Sequence, residues 1–472
     1  MRSVKRTVNQ YVFAALAVFG FSNLSAQENS PFSRYGLGDI YPSQNIASRG
    51  MGGIAAAYSN DQALNTVNPA SYGAMRYVRV FGGSKGALVT YDFGISIDAR
   101  TLRSADPAGT YKSTNFMPSY IQLGIPLSPK AYSKNRGAGL VFGLKPYSRI
   151  NYSVQQNEYY DNTHTKQTLY EGSGGLNQVF LGLGKRWGNF SIGFNGGYEF
   201  GRKSISTKLL FLKDSTNSLN YYKSNSYSTA DYWGAFLTPG ISYTMKINEV
   251  KSKIGSYKEA YFLRLGASGT LQQNLKANNA TRSETYTYDS NGGTTPIDSI
   301  YETKNTLGTV VIPRTYTAGF MLTKKYMIGK EAVATKWSIG ADYSTGDWKN
   351  FRYFDQPDNQ LESSSMFRAG AEFVPSLLSN NLLNRSTYRV GFYTGNEYAN
   401  ADGNGYNVKA LTFGIGFNLR KWSNYDNQST LINTSLEFGK RGSTVNNVTE
   451  NFFKFSLGLS LSDLWFTRRK YD

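Results

Sequence analysis

The chain has 472 residues, with 51 Lys and Arg against 32 Asp and Glu, and a formal net charge of +19 at pH 7. It contains no cysteine and one histidine, which excludes disulfide bonds and leaves a zinc site almost without ligands. Aromatic residues make up 15% of the chain and glycines number 48. The basic balance does not indicate nucleic-acid binding, because no basic stripe is interleaved with stacking aromatics at one locus.

The first 26 residues have the order of a secretory signal peptide. A basic start (Arg2, Lys5, Arg6) precedes a short apolar core from Tyr11 to Phe21, and Ser25-Ala26 offers a small-residue cleavage site. The apolar core is too short for a membrane helix. We therefore predict a cleaved signal peptide over 1–26 and an exported protein.

A glycine-rich stretch follows inside a segment that we predict over 27–76. Arg49 and Gly50 begin it, Gly52 and Gly53 continue it, and it ends at Asn68-Pro69-Ala70. The glycines resemble a phosphate loop, but no lysine follows them and no βαβ pattern surrounds them. A short helix after the glycines, capped by Asn60 or Asp61, would make the segment compact.

The remaining chain alternates apolar with small or polar residues. Between Leu411 and Arg420, for example, Leu, Phe and Ile occupy one face, and Thr, Gly and Asn occupy the other. Glycine on the second face indicates close backbone approach, as a filled lumen would require. A secreted β-sandwich is the alternative. Fourteen candidate strands fit the pattern: 86–100, 115–127, 137–152, 173–186, 189–204, 228–246, 259–274, 303–323, 335–350, 363–374, 386–395, 407–420, 429–440 and 450–461.

This pattern predicts an all-β fold, a 14-stranded antiparallel transmembrane β-barrel over 77–461. The N-terminal segment would then be a hatch inside the lumen, and 462–472 a periplasmic tail. Long polar loops are predicted at 153–172, 205–227 and 275–302, alternating with short turns. His164 lies in the first of these loops without a nucleophile motif nearby, so we predict that the protein is not an enzyme and uses no cofactor or metal.

Several charged residues fall on the face opposite to the lipid. An arginine on the lipid face at the midplane would cost about 2–4 kcal/mol, which favours an inward orientation. One interpretation is a polar network that anchors the hatch to the wall. The alternative is that some of these residues form a gate or a ligand site. We also predict that Pro313 causes a bulge that turns Arg314 inward. The lumen-facing candidates are Lys145, Arg149, Glu199, Arg264, Asp342, Arg368, Glu372 and Arg389.

The glycine-rich stretch resembles the N-terminal hatch of FadL-type outer-membrane transporters. The resemblance lies in Gly50-Met51-Gly52-Gly53, Tyr58-Ser59 and Asn68-Pro69-Ala70, about 25 residues ahead of the first strand. It implies a 14-stranded barrel with a hatch in the lumen and transport of fatty acids or aromatic hydrocarbons. The stretch SPFSRYGLGDIYPSQ ahead of the glycines is similar to the Bacteroidota branch of the family, which includes PorV-type secretion subunits.

Two functions follow as expectations. The first is an outer-membrane channel for passive uptake of small hydrophobic molecules such as fatty acids, in which movement of the hatch opens a path. The second is a non-transporting barrel that acts as a partner in a secretion or surface-protein complex. The expected partners are outer-membrane lipid or lipopolysaccharide, a small hydrophobic ligand, and, in the second case, secretion-complex proteins.

Overall fold

The computed structural model describes residues 30–466 except 61, 76, 80–84, 106–107, 128–135, 160–164, 213–221, 252–257, 291–293, 329–330, 377–378, 380, 402–403, 421–428 and 443–447. The predicted signal peptide and His164 lie outside the described residues. The strands are β1 (Asp39–Ile40), β2 (Tyr77–Arg79), β3 (Lys85–Ala105), β4 (Ala108–Pro126), β5 (Arg136–Pro146), β6 (Ser148–Tyr159), β7 (Thr165–Trp187), β8 (Phe190–Leu212), β9 (Lys223–Lys251), β10 (Lys258–Thr270), β11 (Gln273–Tyr288), β12 (Thr294–Ile312), β13 (Thr315–Ile328), β14 (Glu331–Gly346), β15 (Arg352–Tyr353), β16 (Gln356–Pro357), β17 (Ser364–Phe373), β18 (Thr387–Ala401), β19 (Asn404–Arg420), β20 (Ser429–Gly442) and β21 (Val448–Trp465).

Helical structure in the described residues is limited to short pieces. Two α-helical turns are α1 (Ile46–Arg49) and α2 (Leu382–Arg385), and 3-10 turns occur at Pro31–Arg34, Pro69–Ala74 and Trp348–Asn350. None of these helices has the length and hydropathy of a membrane span.

The wall is a closed antiparallel barrel of 14 strands, which confirms the predicted fold class. Closure comes from β21, which pairs with β3 from Val448 opposite Ser104 to Trp465 opposite Ala87. Three of the 14 wall strands are interrupted and therefore carry two labels each: β5–β6, β10–β11 and β12–β13. β1, β2, β15 and β16 are short and lie outside this count.

Alternation along each strand sets what faces outward. On β8, Phe190, Ile192 and Phe194 are exposed, whereas Asn195 and Glu199 on the opposite face are buried. An apolar outer face and a polar inner face are the pattern of a transmembrane barrel, because lipid cannot satisfy polar side chains.

The wall strands extend well beyond the predicted ranges at one end. Most of 153–172, 205–227 and 275–302 belongs to strands, so their prediction as loops is wrong. β9 has 29 residues, whereas about 9–11 suffice to cross a membrane. The parts beyond the apolar band need no lipid-facing residues, so their Ser, Thr and Asn content resembles that of loops.

Two local predictions also need correction. The ladder breaks at Pro313 as expected, but Arg314 is exposed, so its predicted inward orientation is wrong. The strand ends and restarts at Thr315 instead of bulging, and Arg314 keeps the outward orientation of Tyr316. β21 continues to Trp465, which places 462–465 in the wall and not in a tail.

Candidate functional site

Residues 30–75, which we call the N-terminal segment, pack against the inner face of the wall. The segment is almost wholly buried although it contains only short helical turns. Asn45 caps α1 by accepting a hydrogen bond from the Ser48 amide at 2.8 Å, and its side-chain amide donates to the carbonyl oxygens of Ala63 and Leu64. The segment is thus folded back on itself before it meets the wall.

The predicted hatch glycines lie where the backbone of the segment touches the wall. A Cβ on Gly50 would lie 2.9 Å from the Cα of Gly414, and one on Gly52 would lie 2.5 Å from the carbonyl oxygen of Ala369. Gly52 and Gly53 also have φ angles of +70° and +79°, which favour glycine. Glycine is therefore required here for backbone contact, and no phosphate loop is needed to explain the stretch.

The end of the stretch is held by asparagine side chains. Asn68 donates to the carbonyl oxygens of Ala56 at 2.6 Å and Ile241 at 3.0 Å, and it caps the 3-10 turn by accepting from the Ala70 amide. The carbonyl oxygen of Pro69 faces the wall glycine Gly184, where a Cβ would come within 2.5 Å of it. The described residues of 55–64, which exclude 61, form no helix, and the predicted cap Asn60 instead accepts from the amides of Gln62 and Ala63.

Wall carboxylates accept hydrogen bonds from backbone amides of the segment. Asp342 on β14 accepts from the amides of Ala55 at 2.5 Å and Ala56 at 2.7 Å. Asp92 on β3 accepts from the amide of Leu64 at 3.2 Å. Buried amide groups without a partner are costly, so each contact holds the segment in a defined position.

A cluster of charged residues holds the start of the segment, and the sequence analysis missed it. Asp39 forms ion pairs with Arg441 at 2.7 Å and with Arg100 at 3.3 Å, and it accepts a hydrogen bond from Ser30. Arg100 also pairs with Asp98 at 2.7 Å and Glu450 at 3.4 Å. Burial disfavours the charged form of Asp39, but Arg441 and Arg100 outweigh this and hold its pKa well below the usual range. The strand parity of β3, on which Ile95 and Ile97 face outward, could have revealed Arg100.

Arg49, the predicted hatch residue, stabilises the segment internally and against the wall. Its guanidinium donates to the carbonyl oxygens of Pro42 at 2.7 Å and Gln44 at 3.1 Å, and to the hydroxyl of Ser96 at 3.0 Å. It also lies 5.1 Å from the ring centroid of Tyr41. These contacts give Arg49 a structural role, because they join parts of the segment to each other and to the wall.

None of the eight lumen-facing candidates is exposed in the structure, but they do not form one site. Glu372 and Arg389 form an ion pair at 3.2 Å, and Arg264 donates to the hydroxyl of Thr244. Glu199 is fully buried and accepts from Gln178. The other members contact the segment or line the central cavity: Asp342, Lys145, Arg149 and Arg368.

A cavity of about 380 Å³ remains between the N-terminal segment and the wall. Its lining is mixed: charged side chains such as Arg100, Lys145, Arg149, Arg368, Asp98 and Glu437 share it with apolar and aromatic ones such as Met117, Tyr147, Trp348, Met366, Val408 and Phe452. In the described part of the chain, no group of three or more His, Cys, Asp or Glu could hold a metal ion.

These observations define the protein as a closed 14-stranded antiparallel β-barrel whose N-terminal segment packs against inward-facing residues of the wall. The chain belongs to the BamG family, whose model matches residues 7–472. A comparison with curated proteins found no match.

Several solved structures have a similar fold at low identity. The CymD monoaromatic hydrocarbon channel has a TM-score of 0.49 and 13% identity, over 91% of this chain and 99% of that one. The Pseudomonas putida toluene transporter TodX has a TM-score of 0.49 and 13% identity, over 90% and 99%. A Pseudomonas aeruginosa FadL homologue has a TM-score of 0.49 and 10% identity, over 90% and 99%. These are FadL-type proteins, whereas the Bacteroidota branch stays a prediction.

Proposed function

We propose that this protein is a non-transporting outer-membrane barrel that serves as a structural partner in a secretion or surface-protein complex. The outward apolar face and the predicted signal peptide support the outer-membrane location. Lipid and lipopolysaccharide then surround the wall, and protein partners bind outside the lumen.

The observation that carries the proposal is the set of polar contacts that fix the N-terminal segment in the lumen. The segment is held by buried ion pairs and carboxylate–amide hydrogen bonds. A hydrophobic molecule that passed through the lumen would have to break these contacts without replacing them, which is costly. The arrangement favours a permanent closure over a path for apolar solutes.

Uptake of small hydrophobic molecules such as fatty acids is the second candidate, and one feature of the wall favours it. β4 pairs with β5 only from Ile121 to Pro126. Beyond that point β6 pairs with β1, where Asp39 lies opposite Arg149 and Ile40 opposite Ser148. The N-terminal segment therefore replaces a neighbouring strand here, and its movement would open the wall sideways.

Three measurements on one preparation separate the candidates. Protein purified in mild detergent is analysed by native gel, by mass spectrometry of extracted lipids, and by conductance in planar bilayers, beside a variant lacking residues 28–75. The structural role predicts a complex larger than the monomer, no specifically retained hydrophobic molecule, and a silent full-length barrel that conducts only in the variant. Heat-dependent gel migration verifies that the variant has folded as a barrel.

The opposite pattern favours the second candidate. A retained fatty acid or hydrocarbon, together with hydrophobic uptake that is lost in cells carrying the variant, would overturn the structural role. A full-length protein that migrates only as a monomer would also contradict it.

A further inference from the structure

One wall strand is unusually exposed beyond the apolar band. Of the 13 residues from 295 to 307 on β12, all but Thr303 are exposed, so both faces of this stretch are in contact with solvent. Its neighbour β11 is half-buried over most of its length. We call residues 295–307 the arm. A hairpin strand with no covered face is marginally stable by itself in water.

The same stretch also has a free edge. β12 pairs with β11 from Thr294 opposite Tyr288 to Ile312 opposite Gln273, with three register shifts, at Ile297, at Ile300 and at Lys304–Asn305. On its other edge, the pairing within the described residues is limited to Val310 and Val311, which face β15. The backbone N–H and C=O groups of 295–307 on that side have no strand partner there.

The arm exposes large aliphatic side chains, whose contact with water is unfavourable. Leu307 is 74% exposed, Ile300 69% and Ile297 49%. The exposed aromatic residues on this stretch and on its neighbour β11, Tyr301 and Tyr288, are tyrosines, which tolerate water through their hydroxyl groups. Charged residues are few on this stretch: Asp298, Glu302 and Lys304 give it a net charge of −1, and Glu302 pairs with Lys304 at 3.1 Å.

We infer that the free edge of β12 from 295 to 307 docks an extended segment of a partner polypeptide, which adds a strand to the sheet. This inference rests on the proposed function as a structural partner and names the surface that it uses. Backbone hydrogen bonds would provide the pairing between the register shifts, and Ile297, Ile300 and Leu307 would provide apolar contacts. The net charge of −1 suits a partner segment of polar and aliphatic residues that is not acidic.

The location of the arm agrees with a partner at the cell surface. The β11–β12 hairpin lies at the end of the barrel opposite to the C-terminal end of β21, which runs from Val448 to Trp465. We place the C-terminal end of β21 on the periplasmic side, as the sequence predicts for the tail that follows the wall, so the opposite end is extracellular. The wall below it is closed, so the arm is accessible without any change in the lumen.

Site-specific photo-crosslinking in living cells tests the docking edge. A photoreactive phenylalanine analogue replaces Leu307. In the matched control the same analogue replaces Tyr159, which is 85% exposed and lies on β6, a wall strand that does not pair with β11 or β12. We expect a discrete adduct from position 307 whose crosslinked peptide maps to one contiguous stretch of another protein. No adduct, equal adducts from both positions, or an adduct of twice the mass of this chain would overturn the inference, the last because it identifies a second copy.

Charge substitution provides the second arm of the test. Ile300→Lys with Leu307→Lys places two more charges on the edge, and we expect the fraction of protein in the large complex to fall by at least about tenfold, which is 1.4 kcal/mol. Tyr159→Lys should leave it unchanged. If the double variant keeps the complex, the edge is not the docking surface although the structural role stands. If the wild type has no complex, the structural role itself fails.

Discussion

The ion pairs of Asp39 are the contacts most open to a quantitative test, because this carboxylate belongs to the N-terminal segment and its partners belong to the wall. In Asp39→Asn the charge is lost, but one acceptor oxygen remains. Breaking a buried pair costs about 3–5 kcal/mol, and a hydrogen bond to a charged group is worth about 1.5–3 kcal/mol. Arg100 keeps Asp98 and Glu450, and Arg441 keeps Glu397, so neither arginine is left unpaired.

These retained partners place the expected loss near the lower end, at about 2–4 kcal/mol. This corresponds to a rise of about 30- to 700-fold in the population in which the start of the segment is released. The assay is open time in planar bilayers, together with the rate at which added protease cleaves the segment in folded barrels. We expect both to rise in Asp39→Asn.

Asp231→Asn is the matched control. Asp231 pairs with Arg202 at 2.6 Å, but the two side chains are 43% and 64% exposed, so this pair contributes little. Equal open times and cleavage rates in the two variants would refute the assignment of Asp39 as an anchor of the segment.

The pH dependence of the same anchor has a defined sign. Arg441 and Arg100 lower the pKa of Asp39 in the folded state, against the effect of burial. The pair therefore stabilises the protein above the unfolded pKa of about 3.9, and this stabilisation is lost as pH falls towards the lowered value. We expect the difference in open time between Asp39→Asn and the unmodified protein to stay constant between pH 5 and 8, and a change of that difference within this window would contradict the reasoning.

Two further predictions concern the contacts between the segment and the wall, and a third concerns bound lipid. Gly266→Ala should destabilise the folded barrel, because its Cβ would overlap the carbonyl oxygen of Ala56, whereas Gly196→Ala should be tolerated, because its nearest neighbour would lie at 3.8 Å; heat-dependent gel migration compares them. Asp342→Ala leaves two buried amides without an acceptor, at a cost of about 1–3 kcal/mol each, and should speed proteolysis of the segment. Asp342→Asn keeps an acceptor oxygen and should be milder in the same assay. The lipids extracted from the purified protein should have the same composition as the lipids in the detergent extract of the whole membrane, without an enriched fatty acid.

The barrel could be predicted from the sequence because contact with lipid requires an apolar residue at every second position of each strand. Leu411, Phe413 and Ile415 alternate with Thr412 and Gly414, and the structure places the first three outward or half-buried and Thr412 inward. Lipid has no influence on the residues beyond the apolar band. There the ladder is maintained by backbone pairing between Ser- and Thr-rich strands, which a residue pattern does not distinguish from a loop.

The interior was harder to predict because its contacts join residues that are distant in sequence. Asp39 and Arg441 are 402 positions apart, and nothing in the local pattern of either indicates the other. The glycines were more informative, because a missing side chain on the inner face implies that backbone lies against it. Gly50 and Gly414 contact each other in this way, but only the structure shows which glycine meets which.

The number of anchors limits how the lumen can open. Asp39, Asp342 and Asp92 each hold the segment through charge-assisted hydrogen bonds at separate points of the wall. If each is worth about 1.5–3 kcal/mol, releasing all three costs about 4.5–9 kcal/mol, which makes the released state about 10³- to 10⁶-fold rarer than the closed one. A small hydrophobic molecule can shift this equilibrium only by binding the released state more tightly than the closed one by a comparable free energy. Passive uptake through the lumen would therefore need a local movement that spares most anchors, such as release of β1 from β6 alone, whereas a structural role requires no opening at all.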